Sequence, residues 1–188
     1  MVARLIAWLK AEWQSIRVIA TFLTLIVAFF FLLSWDPIVR YVDLGGGLAR
    51  LAAWMSYGIL RVAGKVVGFD VRLSGVRLST SVLGAEDFEV DVTAACSGAV
   101  PTSIYLAAVF AFPAKASAKL LGALMGVSVI HLINLVRVSA LFIIGLYFHQ
   151  FFHDTHVYVA QALVVAAAVA LWLYWVGRFA QAPSRQPR

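Results

Sequence analysis

The sequence predicts an all-α polytopic membrane protein, a helical bundle with a small external β element. Three observations indicate this fold class. Apolar residues make up 63% of the 188 residues, well above the roughly 45 to 50% that is typical of soluble domains. Four apolar windows come close to or exceed the ~20 residues that a membrane-spanning helix needs. The connecting segments alternate between strongly basic ones and ones that also carry acidic residues.

The four apolar windows are the predicted transmembrane helices. They lie at residues 18–35, 97–112, 120–148 and 157–176. The first is too long for a signal-peptide core and no small-residue cleavage site follows it, so we expect it to stay attached as an anchor. The second is the shortest, and we expect it to borrow Ala94 and Ala95. We assign residues 1–180 to a single membrane domain, with an outer segment at about 36–95, and residues 181–188 to a disordered cytoplasmic tail.

The charge distribution predicts the orientation in the membrane. Segments assigned to the cytoplasm hold eight of the 15 basic residues but, among acidic residues, only Glu12. The basic residues are Arg4, Lys10, Arg17, Lys115, Lys119, Arg178, Arg185 and Arg188. The positive-inside rule therefore places both termini in the cytoplasm and residues 34–95 and the turn at 149–156 outside. Four crossings satisfy this arrangement. Because the basic residues form no single stripe, the net charge of +6 does not indicate nucleic-acid binding.

Residues 44–69 are apolar enough for a further crossing but carry Arg50, Arg61 and Lys65. We interpret this segment as an amphipathic or re-entrant helix on the outer leaflet. A true transmembrane span inside the bundle is the alternative, and it would move Lys115 and Lys119 to the outside.

Two short segments, residues 70–78 and 88–92, alternate apolar and polar side chains, which is the pattern of half-exposed strands. Gly75 and Gly84 are predicted turns. We expect a small outer β-meander that leads directly to Cys96. It either positions this cysteine, or offers an edge to an extended peptide, or is only a connecting hairpin.

Arg137 is the most informative residue, because it lies in the longest apolar window with Asn134 one helical turn before it. A guanidinium near the centre of a bilayer costs about 2.5 to 3.5 kcal/mol on insertion scales and is a functional-site candidate. Cys96, the only cysteine, is expected at the outward start of a helix, and His156 is expected to open the last helix. Since residues 120–148 exceed the spanning length, Arg137 is predicted to reach the same outer depth.

These three residues suit nucleophilic catalysis. A helix N-terminus and nearby cations favour the thiolate, which is the attacking species. His156 would take the thiol proton and return it to a leaving amine. Arg137 would stabilise negative charge, with Asn134 orienting it. This scheme requires neither metal nor cofactor.

Each candidate also has an alternative interpretation. Cys96 fits a small buried hydrophobe, and Arg137 fits a structural residue that caps carbonyls or pairs with Asp154. Asp154 would otherwise orient an imidazole. His131 lies six residues before Arg137, about 240° around an ideal helix, and is expected to face elsewhere. The histidines near the outer turn fit solvated residues or, less well, a metal site.

The candidate residues lie in four motifs that follow one another in order. They are Ala95-Cys96-Ser97-Gly98, Phe112-Pro113, Asn134-Leu135-Val136-Arg137-Val138 and Asp154-Thr155-His156 followed by Gln161. These ordered motifs resemble the exosortase/archaeosortase family, and the H type most of all. The similarity covers roughly residues 48–175. It maps the family's Cys, Arg and His onto Cys96, Arg137 and His156, with Ser97 and Gly98 in support. The chain departs from the family pattern after Gly98, where it has Ala99-Val100-Pro101-Thr102, and this bears on subtype and tail preference.

The resemblance implies a multi-pass enzyme of the bacterial inner membrane whose active site faces the periplasm. Such an enzyme cleaves C-terminal sorting tails of exported proteins, of the PEP-CTERM or IPTL-CTERM kind, through a thioester acyl-enzyme, and passes the product to an unknown acceptor molecule. Its partners would be these exported proteins and the lipid bilayer. Two other functions remain open from the residues alone. They are a non-enzymatic scaffold subunit of an envelope polysaccharide system and a small transporter.

Overall fold

The computed structural model describes residues 12–34, 43–80, 88–93 and 96–180. Six α-helices, one π-helical segment and three strands form the described part. They are α1 Trp13–Ser34, α2 Leu44–Val67, β1 Arg72–Ser74, β2 Arg77–Thr80, β3 Phe88–Asp91, α3 Ala99–Ala111, α4 Ala116–Tyr147, α5 His149–Asp154, the π-helix Thr155–Val159 and α6 Ala160–Arg178. The predicted fold class, a helical polytopic membrane protein with a small β element, is confirmed.

Three helical stretches in the described part are long and apolar enough to cross a membrane: α1, α4 and the continuous stretch His149–Arg178. The fourth predicted crossing corresponds to α3, which has only 13 residues. At 1.5 Å per residue this helix is about 20 Å long, shorter than the ~30 Å hydrocarbon core. The expected extension into Ala94 and Ala95 lies outside the described residues. The number of crossings therefore stays a prediction.

Helix α4 is the central element of the bundle. Its 32 residues correspond to about 48 Å, so it exceeds the hydrocarbon thickness, as the sequence indicated. It packs against α2, α3 and α6, whereas α1 packs against α3. We call the end of α4 near Lys115 the basal end and the end near Phe148 the apical end.

A cluster of buried apolar side chains lies at each end of the bundle. The basal cluster consists of Tyr105, Val109, Ile130, Trp175 and Ala180. The apical cluster joins α2, the sheet and α4, and consists of Ala53, Leu60, Phe69, Val71, Leu78, Val92, Cys96, Val138 and Phe142. The sheet and Cys96 are thus held against the apical half of α4.

The three strands form the predicted meander, an antiparallel sheet in the order β1-β2-β3. Gly75 has φ 66° in the turn between β1 and β2, and this predicted turn is confirmed. The second predicted turn, at Gly84, lies outside the described residues. Between β2 and β3, Arg77 forms a two-pronged hydrogen-bonded ion pair with Asp91, with distances of 2.8 and 3.1 Å. The sheet leads into Cys96, as expected.

The segment 44–69 is helical, as predicted, over Leu44–Val67. Asp43 caps its start by accepting a hydrogen bond from the backbone N–H of Gly46 at 2.7 Å, which satisfies one of the free donors of the first turn. Gly68, with φ 89°, ends it. The helix packs along α4 and the sheet. Whether it crosses the membrane stays a prediction.

Residues 149–156, predicted as an outward turn, are helical, whereas their outward location stays a prediction. Helix α4 ends at Tyr147 and α5 begins at His149, so the break is confined to Phe148. Residues 149–156 contain no glycine or proline that would interrupt a helix. The ring of Phe88 on β3 also packs edge-on against His149 and Phe152, with centroid distances of 6.0 and 5.9 Å. This packing holds residues 149–156 in the helical stretch that runs on into α6.

Candidate active site

Cys96 lies in the short turn between β3 and α3. Its backbone N–H donates to the carbonyl oxygen of Thr93 at 2.9 Å, and its side chain is buried with 9% exposure. Helix α3 begins at Ala99, so Cys96 precedes the helix instead of forming its start as expected. The N–H of Ala99 donates to Ser97 Oγ at 3.2 Å, and this contact ties the turn to the first residue of the helix.

Gly98 shapes the turn that carries Cys96. Its φ of 79° lies in the left-handed region, which glycine adopts without the steric penalty of a Cβ. A Cβ at this position would also lie 3.2 Å from His131 Nδ1 and 3.3 Å from Asn134 Cγ. The backbone of the turn therefore rests directly on α4.

Asn134 joins the turn to Arg137. Its Nδ2 donates to the backbone carbonyl oxygen of Cys96 at 2.7 Å, and its Oδ1 accepts from Arg137 Nη1 at 3.3 Å. The side chain is 1% exposed, so both polar ends are satisfied inside the protein. The contact with Arg137 is the one that the predicted orienting role needs, and the role itself stays a prediction. The contact with Cys96 was not predicted, because it depends on how the turn packs on α4.

Arg137 is buried, with 8% exposure, and has little compensation for its charge. Within the described residues no carboxylate lies within ion-pair distance of it, and its Nε has no hydrogen-bond partner. Asp154, considered as a partner on sequence grounds, is exposed. Burial of a charge is costly unless it is paired. The guanidinium is therefore a buried positive charge for which the described residues supply no counter-ion.

His156 lies in the π-helical segment Thr155–Val159. Such segments are rare and frequently occur at functional sites, but the sequence pattern gave no sign of this one. The imidazole stacks on Phe152 with a centroid distance of 5.8 Å and an interplanar angle of 18°. Its Nδ1 is buried without a partner in the described part of the chain.

Cys96 and His156 line the same cavity, which has a volume of about 240 Å³. Its remaining walls come from the end of the sheet and from the apical helices. They are Glu89, Val90, Asp91, Val92, Thr93, Val138, Leu141 and Phe152. Arg137 does not belong to this lining, and it reaches Cys96 through Asn134. The structure thus brings the Cys96 thiol and the His156 imidazole to one cavity. The Arg137 guanidinium is linked to the Cys96 turn through the side chain of Asn134.

A second cavity in the described part of the chain has a lining of a different kind. An apolar groove of about 410 Å³ between α1, α3 and α6 is lined by residues such as Val18, Ile104 and Val169. Its lining offers no thiol, imidazole or carboxylate. The smaller apical cavity is therefore the candidate active site on chemical grounds.

His131 is closer to the site than the sequence suggested. His131 and Arg137 do point in different directions from α4. Asn134, however, lies between them on the helix surface and is the relevant neighbour of His131. His131 and Asn134 both face the backbone of Gly98, so His131 belongs to the surroundings of the Cys96 turn. The helical spacing to Asn134 was the signal that could have found it. Among the described residues, no three His, Cys, Asp or Glu side chains come together as a metal site would require.

Two acidic side chains of β3 are paired with one arginine of β2. Arg77 contacts Asp91 and also Glu89, whose Oε2 lies 3.3 Å from Arg77 Nη1. The hydrogen bond from Arg77 lowers the pKa of Asp91 below its usual value. Both carboxylates border the cavity, and neither approaches Arg137 within ion-pair distance.

The fold and the site define a class: a helical membrane protein with a buried cysteine and a histidine in one cavity at the apical end of its bundle. A family model described as transmembrane exosortase (Exosortase_EpsH) matches residues 1–175. The chain belongs to this family, as the motifs had indicated. Searches of curated proteins and of solved structures found no match.

Proposed function

We propose that the protein is a membrane-embedded cysteine protease/transpeptidase that cleaves the C-terminal sorting tails of exported proteins. One observation carries the proposal: Cys96 and His156 share a cavity in a chain of the exosortase family. Cysteine–histidine arrangements on unrelated folds perform acyl transfer by the same division of roles.

In the proposed reaction, His156 takes the proton of the Cys96 thiol, and the sulfur attacks the carbonyl carbon of the scissile peptide bond. The carbonyl oxygen becomes negatively charged. As the C–N bond breaks, His156 gives its proton to the departing amine of the tail, and a thioester remains on Cys96. An amine or hydroxyl of the acceptor molecule, or water, then attacks the thioester. It loses a proton to His156 and restores the thiol.

Arg137 supplies positive charge for the developing oxyanion in this scheme. What supports this role is a buried guanidinium whose Nε has no partner in the described residues. A preorganised donor in a water-poor site stabilises such charge more than it would in water. Asn134 positions the two partners, because it holds both the Cys96 carbonyl and the guanidinium.

We place the enzyme in the bacterial inner membrane with Cys96 at the periplasmic side. Lys115 and Lys119 lie at the basal end of α4, and Arg178 ends α6. The positive-inside rule puts such residues in the cytoplasm. The apical end then faces the periplasm, where exported proteins present their tails. The partners in this proposal are these proteins, the lipid bilayer and an acceptor molecule.

The proposal is tested by co-expression with an exported reporter protein that ends in an IPTL-CTERM-type tail. Processing is followed by the mobility of the reporter on gels and by mass spectrometry of its new C-terminus. We expect processing with the natural chain and none with the Cys96→Ala or Cys96→Ser variant. Membrane insertion of the variants is checked in parallel.

A matched control is Ser103→Ala, which changes a small side chain on α3 that lies outside the cavity lining and bonds its own helix at Ala99 O. This control should process the reporter normally. Continued processing by the Cys96→Ala variant would refute the assignment of the nucleophile. A natural chain that inserts but leaves both PEP-CTERM and IPTL-CTERM reporters intact would refute the proposed activity.

A further inference from the structure

Strand β3 has one open edge. It is the last strand of the sheet, and β2 pairs with it on one side only. In the described part of the chain no strand pairs with its other side. An open strand edge presents a row of free backbone donors and acceptors, and these bind extended peptides in several kinds of protein.

The register tells which backbone groups of β3 point to this open edge. The N–H of Val92 donates to Val76 O at 3.0 Å, and Val90 is paired with Leu78 in the same register. In an antiparallel ladder, residues that exchange hydrogen bonds alternate with residues that point away. The backbone groups of Glu89 and Asp91 therefore point away from β2.

The open edge runs along the candidate active site. Five consecutive residues of the chain, 89–93, line the cavity. Side chains alternate between the two faces of a strand, so a cavity on one face would contact every second residue. Contact with every residue in turn indicates that the cavity follows the strand edge. The same cavity ends at Cys96 and His156.

We propose that β3 binds the substrate by its open edge, as an added strand that delivers the scissile bond to Cys96. This inference rests on the proposed function. The occupant is the extended segment of the sorting-tail protein that lies just outside the bilayer. A helical segment has its backbone groups satisfied internally, whereas an extended one has free groups for Glu89 and Asp91. The backbone of β3 then selects an extended conformation next to the thiol.

Disulfide cross-linking tests this docking mode, because the Cys96→Ala chain contains no cysteine. In that background we introduce Glu89→Cys and scan single cysteines along the reporter segment that precedes the tail helix. Glu89 is exposed, and Arg77 keeps its contact with Asp91 when Glu89 is replaced. Mild oxidation should give strong cross-links at alternate reporter positions, with intervening positions at least about fivefold weaker, because cross-strand neighbours recur every second residue.

The matched control is Arg72→Cys on β1, an exposed position at the opposite edge of the same sheet. It should give no alternating pattern. Cross-links from Glu89→Cys that do not alternate, or equal yields from Arg72→Cys, would overturn the docking mode. Processing by the natural chain is measured with the same reporter. Normal processing without alternation refutes strand docking alone, whereas absent processing refutes the proposed function and the docking together.

Discussion

The apical and basal ends of the bundle treat their buried polar groups differently. At the basal end, Tyr105 Oη donates to Gly122 O at 3.1 Å and Trp175 Nε1 donates to Ala118 O at 2.8 Å. At the apical end, Arg137 Nε and His156 Nδ1 have no partner among the described residues. At the basal end Trp172 Nε1 also has no partner among the described residues, but an indole N–H carries no charge.

We infer from this difference that the paired basal groups serve stability and the unpaired apical groups serve the chemistry of the site. A satisfied hydrogen bond between a side chain and a backbone carbonyl fixes how two helices pack. A buried polar group without a hydrogen-bond partner destabilises the folded protein. Natural proteins keep such groups mainly at functional sites. We therefore expect apical substitutions to change turnover more than stability, and basal substitutions to change stability more than turnover.

The largest effect on turnover, after loss of the thiol itself, is expected for His156→Ala. General acid–base catalysis contributes roughly 10² to 10⁴-fold, so processing of the reporter should fall by at least about 10²-fold. The melting temperature in detergent should change little. His131→Ala is the matched control, since His131 contacts the Cys96 turn but does not line the cavity. An equal or larger loss with His131→Ala would reverse the assignment of the acid/base residue.

Arg137→Lys should be the next most severe change. Lysine keeps the charge but loses the planar fork of the guanidinium, and loss of one oxyanion donor costs roughly 10²-fold in turnover. The decrease should appear in the maximal rate of processing rather than in reporter binding. Normal rates with lysine would show that any positive charge is sufficient and would remove Arg137 from the transition state.

Asn134 can be separated into its two contacts. Asn134→Ala removes both and should reduce turnover and also destabilise the protein by about 1–3 kcal/mol, because buried groups are left unpaired. Asn134→Asp keeps an acceptor for Arg137 but removes the donor to the Cys96 carbonyl. If holding Cys96 matters most, both variants should lose activity to a similar degree. Restored processing with aspartate would instead assign the effect to Arg137 alone.

The basal counterpart is Trp175→Phe, which removes the donor to Ala118 O and keeps most of the packing. We expect a loss of about 0.5–1.5 kcal/mol in the free energy of unfolding, with normal processing at temperatures where the protein is folded. A large loss of turnover without loss of stability would contradict the separation of the two ends.

The smallest expected effect is on the stability of the protein at acidic pH. The hydrogen bond from Arg77 lowers the pKa of Asp91. The pair therefore stabilises the sheet at pH values above the usual pKa of aspartate, about 3.9. This contribution is lost as pH falls through the lowered pKa of the folded protein. The pair is exposed, so the change is small. Asp91→Asn should weaken the acid dependence of unfolding below about pH 4, and an unchanged pH profile would show that the pair is without effect.

The sequence was sufficient for the fold class and for the family, and two of its three candidate site residues, Cys96 and His156, line one cavity. Apolar windows and the alternating segments predicted the helices and the meander, because each follows from one-dimensional periodicity. Arg137 was conspicuous because a charge in an apolar window needs a reason. The helical continuation at 149–156 was missed because histidine, aspartate and glutamine resemble a turn in composition, whereas Phe88 packs on this segment from a distant strand.

The remaining features of the site depend on three-dimensional packing. The bond from Asn134 to the Cys96 carbonyl requires the turn at Gly98 to rest on α4. The π-helix at His156 is a local departure from regular hydrogen bonding, which no side-chain pattern specifies. We expected His131 to face away from the site because we measured its helical angle from Arg137. The angle from Asn134 was the relevant one, because Asn134 faces the Cys96 turn.

Hydroxylamine trapping tests most directly whether Cys96 forms the covalent intermediate. When hydroxylamine is added during processing, its nitrogen attacks the thioester carbonyl and the Cys96 thiol is released. We predict that the released reporter then carries a C-terminal hydroxamate, in a proportion that rises with hydroxylamine, and that no product forms with Cys96→Ala. A reporter that is fully processed yet ends only in a carboxylate at every hydroxylamine concentration would contradict the thioester mechanism.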